Sequence, residues 1–307
     1  MGGNNEGMKT MGKYRKVSVL MPVYNMQETV GEAIASALGQ EGMPFELVVV
    51  NDGSNDNTLG EINKFNKDKN LKVISQPKLG KNVAFNRAFE ESSGAFFCYF
   101  AGDDILPYNS LFFRYALLDD DQNPDAISCG KLQTFSKDKK MDGIVMPKVR
   151  IPCFTGGVIM FPRMIAEKVF PLPVELPNED TWTKLVIQHF TKQILISDKV
   201  VLHYRIHDKN TVPKSTSFSE INEKKHQRMK VYKFFLDKYG ASLKKEDREK
   251  VIRIIEMEEK RYRNKSFSVL MQRNVGFRDK LNFFFYSKRS LYNLKNTLYR
   301  FLGGWNY

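Results

Sequence analysis

The stretch Val17-Ser-Val-Leu-Met-Pro-Val-Tyr-Asn25 decides the fold. Its first residues form a short, β-branched, apolar run, and proline, tyrosine and asparagine close it, as in a buried strand that ends in a turn. The same pattern returns in Phe45–Val50, which Asn51-Asp-Gly-Ser54 follows. Between these runs, Glu28–Gln40 carries apolar residues at helical spacing. The three segments predict a strand–helix–strand unit, from which parallel sheets are built.

Similar strand and helix patterns continue along the chain. Further strands are predicted at Leu71–Ser75, Phe96–Phe100, Ala126–Phe135, Gly157–Phe161, Ile194–Ile196 and Val200–Ile206, and further helices at Val83–Glu91, Asp180–Phe190, 220–239 and 244–263. Because strands alternate with helices, we predict an α/β fold with a Rossmann-like, mainly parallel sheet, followed by a helical C-terminal extension. Ligands of such sheets bind beyond the carboxyl ends of the strands. Pro22–Asn25, Asn51–Ser54 and Asp103-Asp104 all lie at such ends.

Several motifs, in order, resemble those of the family 2 glycosyltransferases, which have the GT-A fold. Besides the two stretches above, they are Gln76-Pro-Lys-Leu-Gly-Lys-Asn-Val-Ala-Phe-Asn-Arg-Ala88, Gly94-Ala-Phe-Phe-Cys-Tyr-Phe-Ala-Gly-Asp-Asp104, Phe154-Thr-Gly-Gly-Val-Ile-Met-Phe-Pro-Arg163 and Asn178-Glu-Asp-Thr-Trp182. Each motif is weak alone, but their order and spacing are specific. The resemblance covers about Val17 to Asn210.

The resemblance implies a domain plan and an activity. Residues 1–15 are predicted to be a disordered segment, 16–215 a GT-A catalytic domain with a nucleotide-binding half (16–105) and an acceptor half (106–215), and 216–307 a basic helical extension. The expected reaction moves a sugar from a nucleotide-diphospho-sugar to an acceptor hydroxyl with inversion. The expected setting is surface polysaccharide or glycolipid synthesis on a saccharide or lipid-linked acceptor.

The resemblance also implies where the donor nucleotide binds. The implied residues are Pro22, Val23, Tyr24, Asn25, Asp52, Asn82, Asn86, Arg87 and Asp103. Asp52 at a strand end can accept a hydrogen bond from a heterocycle N–H, as uracil offers, which favours a UDP-sugar. The alternative for Asp52, and more so for Asp56, is a turn or helix-capping role at the start of the next helix.

Asp103-Asp104 follows an apolar run and forms the predicted metal site, with His207 as a further ligand. Adjacent carboxylates repel each other, and Mg²⁺ or Mn²⁺ suits carboxylate and phosphate oxygens. The ion would neutralise the leaving diphosphate. The alternative is an N-cap for a helix near Tyr108. The sequence departs from the family pattern at Ala101, where the first acid is expected.

Glu179-Asp180 is the predicted catalytic pair, and the resemblance assigns the general base to Asp180. A single inverting displacement needs one base for the acceptor hydroxyl and no covalent nucleophile. The alternative is that both acids stabilise the N-terminus of the following helix. Gly156 and Gly157 are predicted to form the acceptor floor or a tight turn. Arg205 and His207 are predicted near the diphosphate.

The formal charge of +13 is concentrated at the C-terminus, because residues 260–307 hold 11 Lys/Arg and one acid. Apolar stripes accompany these cations, with Phe277, Leu281, Phe284 and Phe285 in one and Leu291, Leu294, Leu298 and Phe301 in the other. We predict peripheral membrane contact through 265–307. Packing on the catalytic domain and a homodimer remain alternatives. The sequence shows no recognised DNA or RNA motif, so nucleic acid is not an expected partner.

The sequence has three cysteines whose spacing does not suggest disulfide pairs, Cys98, Cys129 and Cys153, and this fits a reducing cytosol. The N-terminus lacks a signal-peptide pattern. A cytoplasmic enzyme, at the inner face of the membrane, is therefore expected. One rival is a sugar nucleotidyltransferase, but Pro22-Val-Tyr-Asn25 replaces the Gly-rich loop such enzymes carry after the first strand. The other is an inactive sugar-nucleotide-binding or scaffold protein, which Ala101 favours and the retained Asp52, Asp103, Asp104 and Asp180 oppose.

Overall fold

The computed structural model describes residues 14–118, 123–207 and 217–301. The chain divides into two compact units. The first comprises Met1–Val174 and Asn178–Thr211, and the second comprises Glu175–Pro177 and Val212–Tyr307. Within the described residues, the first unit is α/β and all the regular structure of the second unit is helical.

A mixed, eight-stranded sheet forms the centre of the first unit. The strands are β1 (Val17–Val23), β2 (Phe45–Asp52), β3 (Leu71–Gln76), β4 (Phe96–Tyr99), β5 (Ile127–Ser136), β6 (Val145–Met146), β7 (Ile159–Pro162) and β8 (Ile194–Ile206). Their order is β3-β2-β1-β4-β7-β5-β6, and β8 pairs with β5. Strands β1 to β4 are parallel to one another, as are β5 and β8, whereas β6 and β7 pair antiparallel with their neighbours.

Six helices belong to the described part of this unit. They are α1 (Val30–Leu38), α2 (Thr58–Asn63), α3 (Lys81–Glu90), α4 (Ser110–Tyr115), α5 (Arg163–Val169) and α6 (Glu179–Phe190). All seven residues of β1 are buried, and α1 buries Val30, Ala33, Ile34 and Ala37. The predicted fold class, a mostly parallel sheet with flanking helices and a helical C-terminal region, is confirmed.

The second unit contains helices α7 (Phe218–Met229), α8 (Val231–Tyr239), α9 (Lys245–Tyr262), α10 (Ser266–Leu270), α11 (Phe277–Phe285) and α12 (Arg289–Phe301). Met257, Val269 and Phe283 form a buried cluster, on which Phe284 packs. The predicted stripe on α11 therefore packs partly inside its own unit. No helix in the described ranges combines the length and apolarity that crossing a bilayer requires.

The structure corrects several predicted boundaries. The two strands predicted at 194–196 and 200–206 are one strand, β8, because pairing with β5 ends at Ile196 and resumes at Val200 after a β-bulge. The helix predicted over 220–239 is two helices that meet at Lys230. The strand predicted from Gly157 begins at Ile159, since Gly156–Val158 form a 3-10 turn.

The predicted disordered segment 1–15 lies outside the described residues except for Tyr14 and Arg15. Tyr14 packs edge-on against Phe112 and Tyr115, and the Arg15 amide donates to the Tyr115 hydroxyl at 2.9 Å. These two residues are therefore part of the packed first unit.

A fully buried arginine joins α4 to the segment before β7. Arg114 is 0% exposed, and its guanidinium donates to the carbonyls of Gly157 at 3.0 Å and Ile159 at 3.4 Å. It also donates to the Ser110 carbonyl and hydroxyl. Buried carbonyls need such partners, so Arg114 holds the 3-10 turn and the start of β7 in place.

We expect Arg114→Met to lower the free energy of unfolding of the first unit, by about 1–3 kcal/mol for each carbonyl left without a partner. Denaturant titration followed by the fluorescence of buried Trp182, in a Trp305→Phe background, measures the change. Arg150→Met is the matched control, because 67% of the Arg150 side chain is exposed. Equal stability of the two variants would contradict a structural role for Arg114.

Candidate active site

The turns that follow β1 and β2 are bonded to each other. The Asn25 amide donates to the Ser54 hydroxyl at 3.0 Å, and the Asn55 amide donates to Asn25 Oδ1 at 3.0 Å. The Met26 amide donates to Thr58 Oγ1 at 2.7 Å. Asn25 has a positive φ of 52°, which asparagine tolerates better than most residues. The two strand ends therefore form one rigid edge.

Asp52 ends β2 and is 4% exposed. Its Oδ1 accepts from Gln76 Nε2 at 2.7 Å and from the Leu79 amide at 2.9 Å, and its Oδ2 accepts from the Gly80 amide at 2.9 Å. The carboxylate thus fastens the segment before α3 and does not cap α2. A carboxylate has about four acceptor positions, so one remains for a donor such as a heterocycle N–H.

Asp56 has the turn and helix-capping role that the sequence offered as its alternative. Its Oδ1 accepts from the Thr58 amide at 2.9 Å, and its Oδ2 accepts from the Gln27 amide at 3.3 Å. These bonds stabilise the first turn of α2 and its junction with the β1 turn. Burial acts to raise the pKa of Asp56, but the hydrogen bonds from Thr58 and Gln27 together outweigh it and lower the pKa.

The other residues predicted to bind the nucleotide at the end of β1 lie beside the segment that Asp52 holds. Pro22 and Val23 are the buried last residues of β1. The Tyr24 ring is half-buried, and the Lys78 ammonium lies 3.8 Å from its centroid. Gly53 has a φ of 71°, and a Cβ there would lie 2.6 Å from the Lys78 amide nitrogen, so glycine permits this close approach.

Three residues predicted to bind the nucleotide lie on α3 and contact other parts of the fold. Asn82 Nδ2 donates to the Pro173 carbonyl at 2.9 Å. The Asn86 amide group bonds to both the carbonyl and the amide of Leu172, at 3.0 and 2.6 Å. Arg87 pairs with Glu91 at 2.7 Å. None of these contacts involves Asp103 or Asp180.

A groove of about 450 Å³ runs between β3 and α3. It is lined by Ile74, Ser75, Gln76, Leu79, Val83, Asn86, Arg87, Glu90 and Val174. Gln76 and Leu79 contact both this groove and Asp52, so the groove adjoins the end of β2.

Asp103 and Asp104 follow β4 and are bonded to β8. Ile105 and His203 exchange backbone hydrogen bonds of 3.0 and 2.8 Å, and the Arg205 amide donates to Asp104 Oδ1 at 2.9 Å. Helix α4 begins only at Ser110, so the alternative that these acids cap it is wrong. The strand pairing fixes their backbone at the sheet edge.

Arg205 and His207 both reach Asp103. Arg205 Nε donates to the Asp103 carbonyl at 2.6 Å, and its guanidinium also pairs with Glu32 at 2.5 Å. His207 Nε2 lies 3.0 Å from Asp103 Oδ2. The structure thus brings together the predicted phosphate-side residues Arg205 and His207 and the predicted metal ligand Asp103.

Asp104 is 4% exposed, and its environment disfavours a negative charge. Burial, reinforced by Asp103, raises the pKa of Asp104 to about 8, although Arg205 opposes the shift. No group of three or more His, Cys, Asp or Glu side chains in the described ranges could hold a metal by itself. A cation here would therefore need further ligands from a substrate, and the two adjacent carboxylates supply the kind of oxygen ligand that Mg²⁺ and Mn²⁺ take alongside phosphates.

Glu179 and Asp180 open α6, and a glycine amide holds the second. The Gly156 amide donates to Asp180 Oδ1 at 2.8 Å. A Cβ on Gly156 would lie 2.8 Å from that oxygen, so glycine allows the carboxylate to approach the backbone. Gly157 instead packs tightly on Leu202, where a Cβ would lie 2.7 Å from Cδ2. Both acids also lie in the first turn of α6, so their helix-stabilising role remains.

Lys81 lies among the acids of the two predicted sites. Its ammonium is 2.9 Å from Glu179 Oε1, and Glu179 is 5% exposed. Burial acts to lower the pKa of Lys81, but Glu179, followed by Asp180 and Asp103, outweighs it and raises the pKa. Lys81 therefore pairs directly with Glu179, the residue beside the predicted base Asp180.

Tyr204 is a site residue that the sequence patterns did not single out. Burial, followed by the charges of Asp104, Asp103 and Asp180, raises the pKa of its hydroxyl. The sequence could have indicated Tyr204, because it lies in β8 directly between His203 and Arg205. Beneath the site, the Tyr99 and Thr183 hydroxyls share a buried hydrogen bond of 2.9 Å that joins β4 to α6.

Comparison with known families gives a match over residues 18–170 to the model of "Glycosyl transferase family 2". An uncharacterised glycosyltransferase from Rickettsia bellii is 28% identical over 170 residues, 55% of this chain and 23% of the relative. The Escherichia coli UDP-Glc:alpha-D-GlcNAc-diphosphoundecaprenol beta-1,3-glucosyltransferase WfgD is 31% identical over 102 residues, 33% of this chain and 40% of the relative. The matched region thus spans less than half of either relative.

Solved structures share the fold at low sequence identity. S. aureus TarS 1-349 in complex with UDP-GlcNAc superposes with a TM-score of 0.59 at 18% identity, covering 90% of this chain and 80% of that one. The mannosyltransferase PcManGT from Pyrobaculum calidifontis, in complex with GDP-Man and Mn²⁺, has a TM-score of 0.54 at 18% identity, covering 73% and 65%. The predicted GT-A fold is therefore confirmed.

Asp52→Ala is expected to release the segment before α3, because the Leu79 and Gly80 amides lose a charged acceptor. Hydrogen–deuterium exchange of these two amides should accelerate roughly tenfold or more, since a bond to a charged group contributes about 1.5–3 kcal/mol. Asp56→Ala is the matched control, because its carboxylate bonds to Gln27 and Thr58 instead. Unchanged exchange in Asp52→Ala would show that other contacts hold the segment.

Proposed function

This chain belongs to the family 2 glycosyltransferases, and we propose that it transfers a sugar from a UDP-sugar to an acceptor hydroxyl with inversion. The observation that carries the proposal is a chain of contacts at one edge of the sheet: Asp52 accepts from the Gly80 amide, and the next residue, Lys81, pairs with Glu179 beside Asp180. A donor that runs along this edge from Asp52 to Asp103 would present its sugar to Asp180.

The end of β2 is the proposed site for the nucleotide base. Asp52 keeps one acceptor position for the uracil N–H, and the half-buried Tyr24 ring offers a face for stacking. The E. coli relative's name includes UDP-Glc as its donor, and the TarS structure holds UDP-GlcNAc. Both support a UDP-sugar donor here. Pro22, Val23 and Asn25 would shape the pocket, whereas Asn82 and Asn86 would support it through their bonds to the 172–173 backbone.

Asp180 is the proposed general base. The acceptor oxygen attacks the anomeric carbon, its proton passes to the Asp180 carboxylate, and the bond to the diphosphate breaks with its electrons leaving on UDP. One displacement inverts the anomeric carbon. The Gly156 amide fixes Asp180 Oδ1, and the Lys81–Glu179 pair places a cation beside it. Glu179 thus acts as a charge partner for Lys81.

Asp103, Asp104 and His207 would hold a Mg²⁺ or Mn²⁺ ion together with the donor diphosphate. The bound ion would neutralise the charge that develops on the leaving diphosphate. Mn²⁺ in the mannosyltransferase structure supports this proposal. Arg205 orients Asp103 and Asp104 through its own bonds to the Asp103 carbonyl and the Asp104 carboxylate. Ala101 leaves this site one acid short of the usual family pattern.

The proposed acceptor is a saccharide on a lipid carrier, in surface polysaccharide or glycolipid synthesis. The E. coli relative's name describes a diphosphoundecaprenol-linked sugar as its acceptor, which supports this class. Such an acceptor would place the enzyme in the cytoplasm at the inner face of the membrane. Gly156 and Gly157 would leave room for its sugar above the 3-10 turn.

We expect the purified protein to release UDP from one of a panel of UDP-sugars when a lipid-linked acceptor is present. Asp180→Asn should abolish turnover but leave calorimetric UDP affinity nearly unchanged, because the base acts on the acceptor. Thr181→Ala, next along α6, is the matched control and should retain activity. An equal loss of UDP affinity in Asp180→Asn would assign this residue elsewhere, and binding without turnover of any donor would favour the inactive sugar-nucleotide-binding alternative.

Metal dependence is tested separately. EDTA should remove activity, and Mn²⁺ should restore it. Mn²⁺ should also tighten UDP binding roughly tenfold, equivalent to about 1.4 kcal/mol, and Asp103→Asn should remove that gain. Asp56→Asn serves as the control acid outside the site. Full activity in EDTA would refute the metal role.

A further inference from the structure

Three large apolar side chains of the second unit project into solvent close together along the chain. Phe267 and Met271 are each 80% exposed, and Phe277 is 73% exposed. The Met271 amide donates to the Phe267 carbonyl, so these two residues lie one helical turn apart on the same face of α10. Phe277 opens α11, which packs against α10. We call Phe267, Met271 and Phe277 the apolar tip.

The residues of the apolar tip lie on helices that pack inside the second unit. The opposite face of α10 is buried, with Val269 in the cluster of Met257 and Phe283. The Ser287 hydroxyl donates to the buried Ser266 hydroxyl at 2.7 Å, which joins the start of α10 to the end of α11. The exposure of the tip is therefore a property of the folded unit. Isolated exposed apolar residues are common, but three such large side chains within the short segment 267–277 of one packed unit indicate an interaction site.

Four cations lie close to the apolar tip along the chain. Lys265, Arg273, Arg278 and Lys280 lie within 265–280, where Asp279 is the single acid. None of the four cations forms an ion pair with any residue that the structure describes. A partner must therefore combine an apolar phase with negative charge.

We propose that the apolar tip inserts into the interface of an anionic lipid bilayer while these four cations contact the headgroups. Aromatic and methionine side chains suit the boundary between headgroups and acyl chains, and cations near it gain from the negative surface potential. A symmetric contact between two copies would set cations against cations, which opposes a dimer through this surface. The inference does not depend on the proposed activity, although a lipid-linked acceptor would make it useful.

Point substitutions test the tip better than truncation does. Removal of 265–307 would also remove Val269 and Phe283 from the buried cluster and would unfold the unit for an unrelated reason. The exposed side chains can be changed without this effect, because little of their surface packs on the fold. Phe267→Ser, Met271→Ser and Phe277→Ser are combined in an apolar variant. Lys265→Gln, Arg273→Gln and Arg278→Gln are combined in a charge variant.

Each variant has a matched control in the first unit. Val149→Ser with Ile151→Ser removes two exposed apolar side chains, and Lys137→Gln, Lys139→Gln and Lys140→Gln remove three exposed cations. All full-length proteins are sedimented with phosphatidylcholine vesicles that contain or lack phosphatidylglycerol, at low and high salt. Thermal unfolding confirms that each variant is folded, and light scattering reports the oligomeric state.

The full-length protein should sediment with the phosphatidylglycerol vesicles at low salt. The apolar and charge variants should each lose roughly tenfold or more of their partition coefficient, and the two controls should match the unmodified protein. Failure of the unmodified protein to bind at low salt would overturn the proposal, as would unchanged binding by the apolar variant. A dimer that the apolar variant dissociates would assign the tip to a second copy. Binding to a single-stranded oligonucleotide but not to vesicles would assign the cations to nucleic acid.

Discussion

The parallel register of β1, β2 and β4 is the constraint on which the rest of the site depends. Val17 lies opposite both Phe45 and Phe96, so the three strands start level and finish at one edge. Asp52 ends one strand, and Asp103 and Asp104 follow another. The antiparallel contact between Ile105 and His203 then brings β8, with Tyr204 and Arg205, to the same edge. Residues far apart in the sequence become neighbours because hydrogen-bonded strands cannot slide past one another.

This edge gathers more negative charge than it can hold without compensation. Asp103, Asp104, Glu179 and Asp180 lie near Lys81, and burial raises the pKa of Asp104 to about 8. A diphosphate would add further negative charge, so a divalent cation gives the proposed complex its charge balance. The excess of negative charge also explains why Lys81 and Arg205 are each bonded to a carboxylate near this edge.

The sequence predicted those features that depend on local pattern, namely the strands β1 to β4, the acids that follow β2 and β4, and the start of α6. It did not predict partners that depend on tertiary packing. Asp52 bonds to Leu79 and Gly80, and Asn86 bonds to Leu172, because segments distant along the chain meet there. Periodicity also divided β8 in two, since it has no information on the pairing with β5 that resumes at Val200 beyond the polar middle of the strand. Likewise, the stripe on α11 was predicted to contact a membrane, whereas one of its residues, Phe284, packs on a buried cluster within its own unit.

A crystal structure of the full chain with UDP and Mn²⁺ tests the central claim most directly, because it locates the nucleotide relative to the sheet edge. We expect the uracil N–H within hydrogen-bond distance of Asp52, and the metal between the diphosphate and Asp103 or Asp104. UDP bound instead in the groove between β3 and α3, without contact to Asp52 or Asp103, would contradict the account.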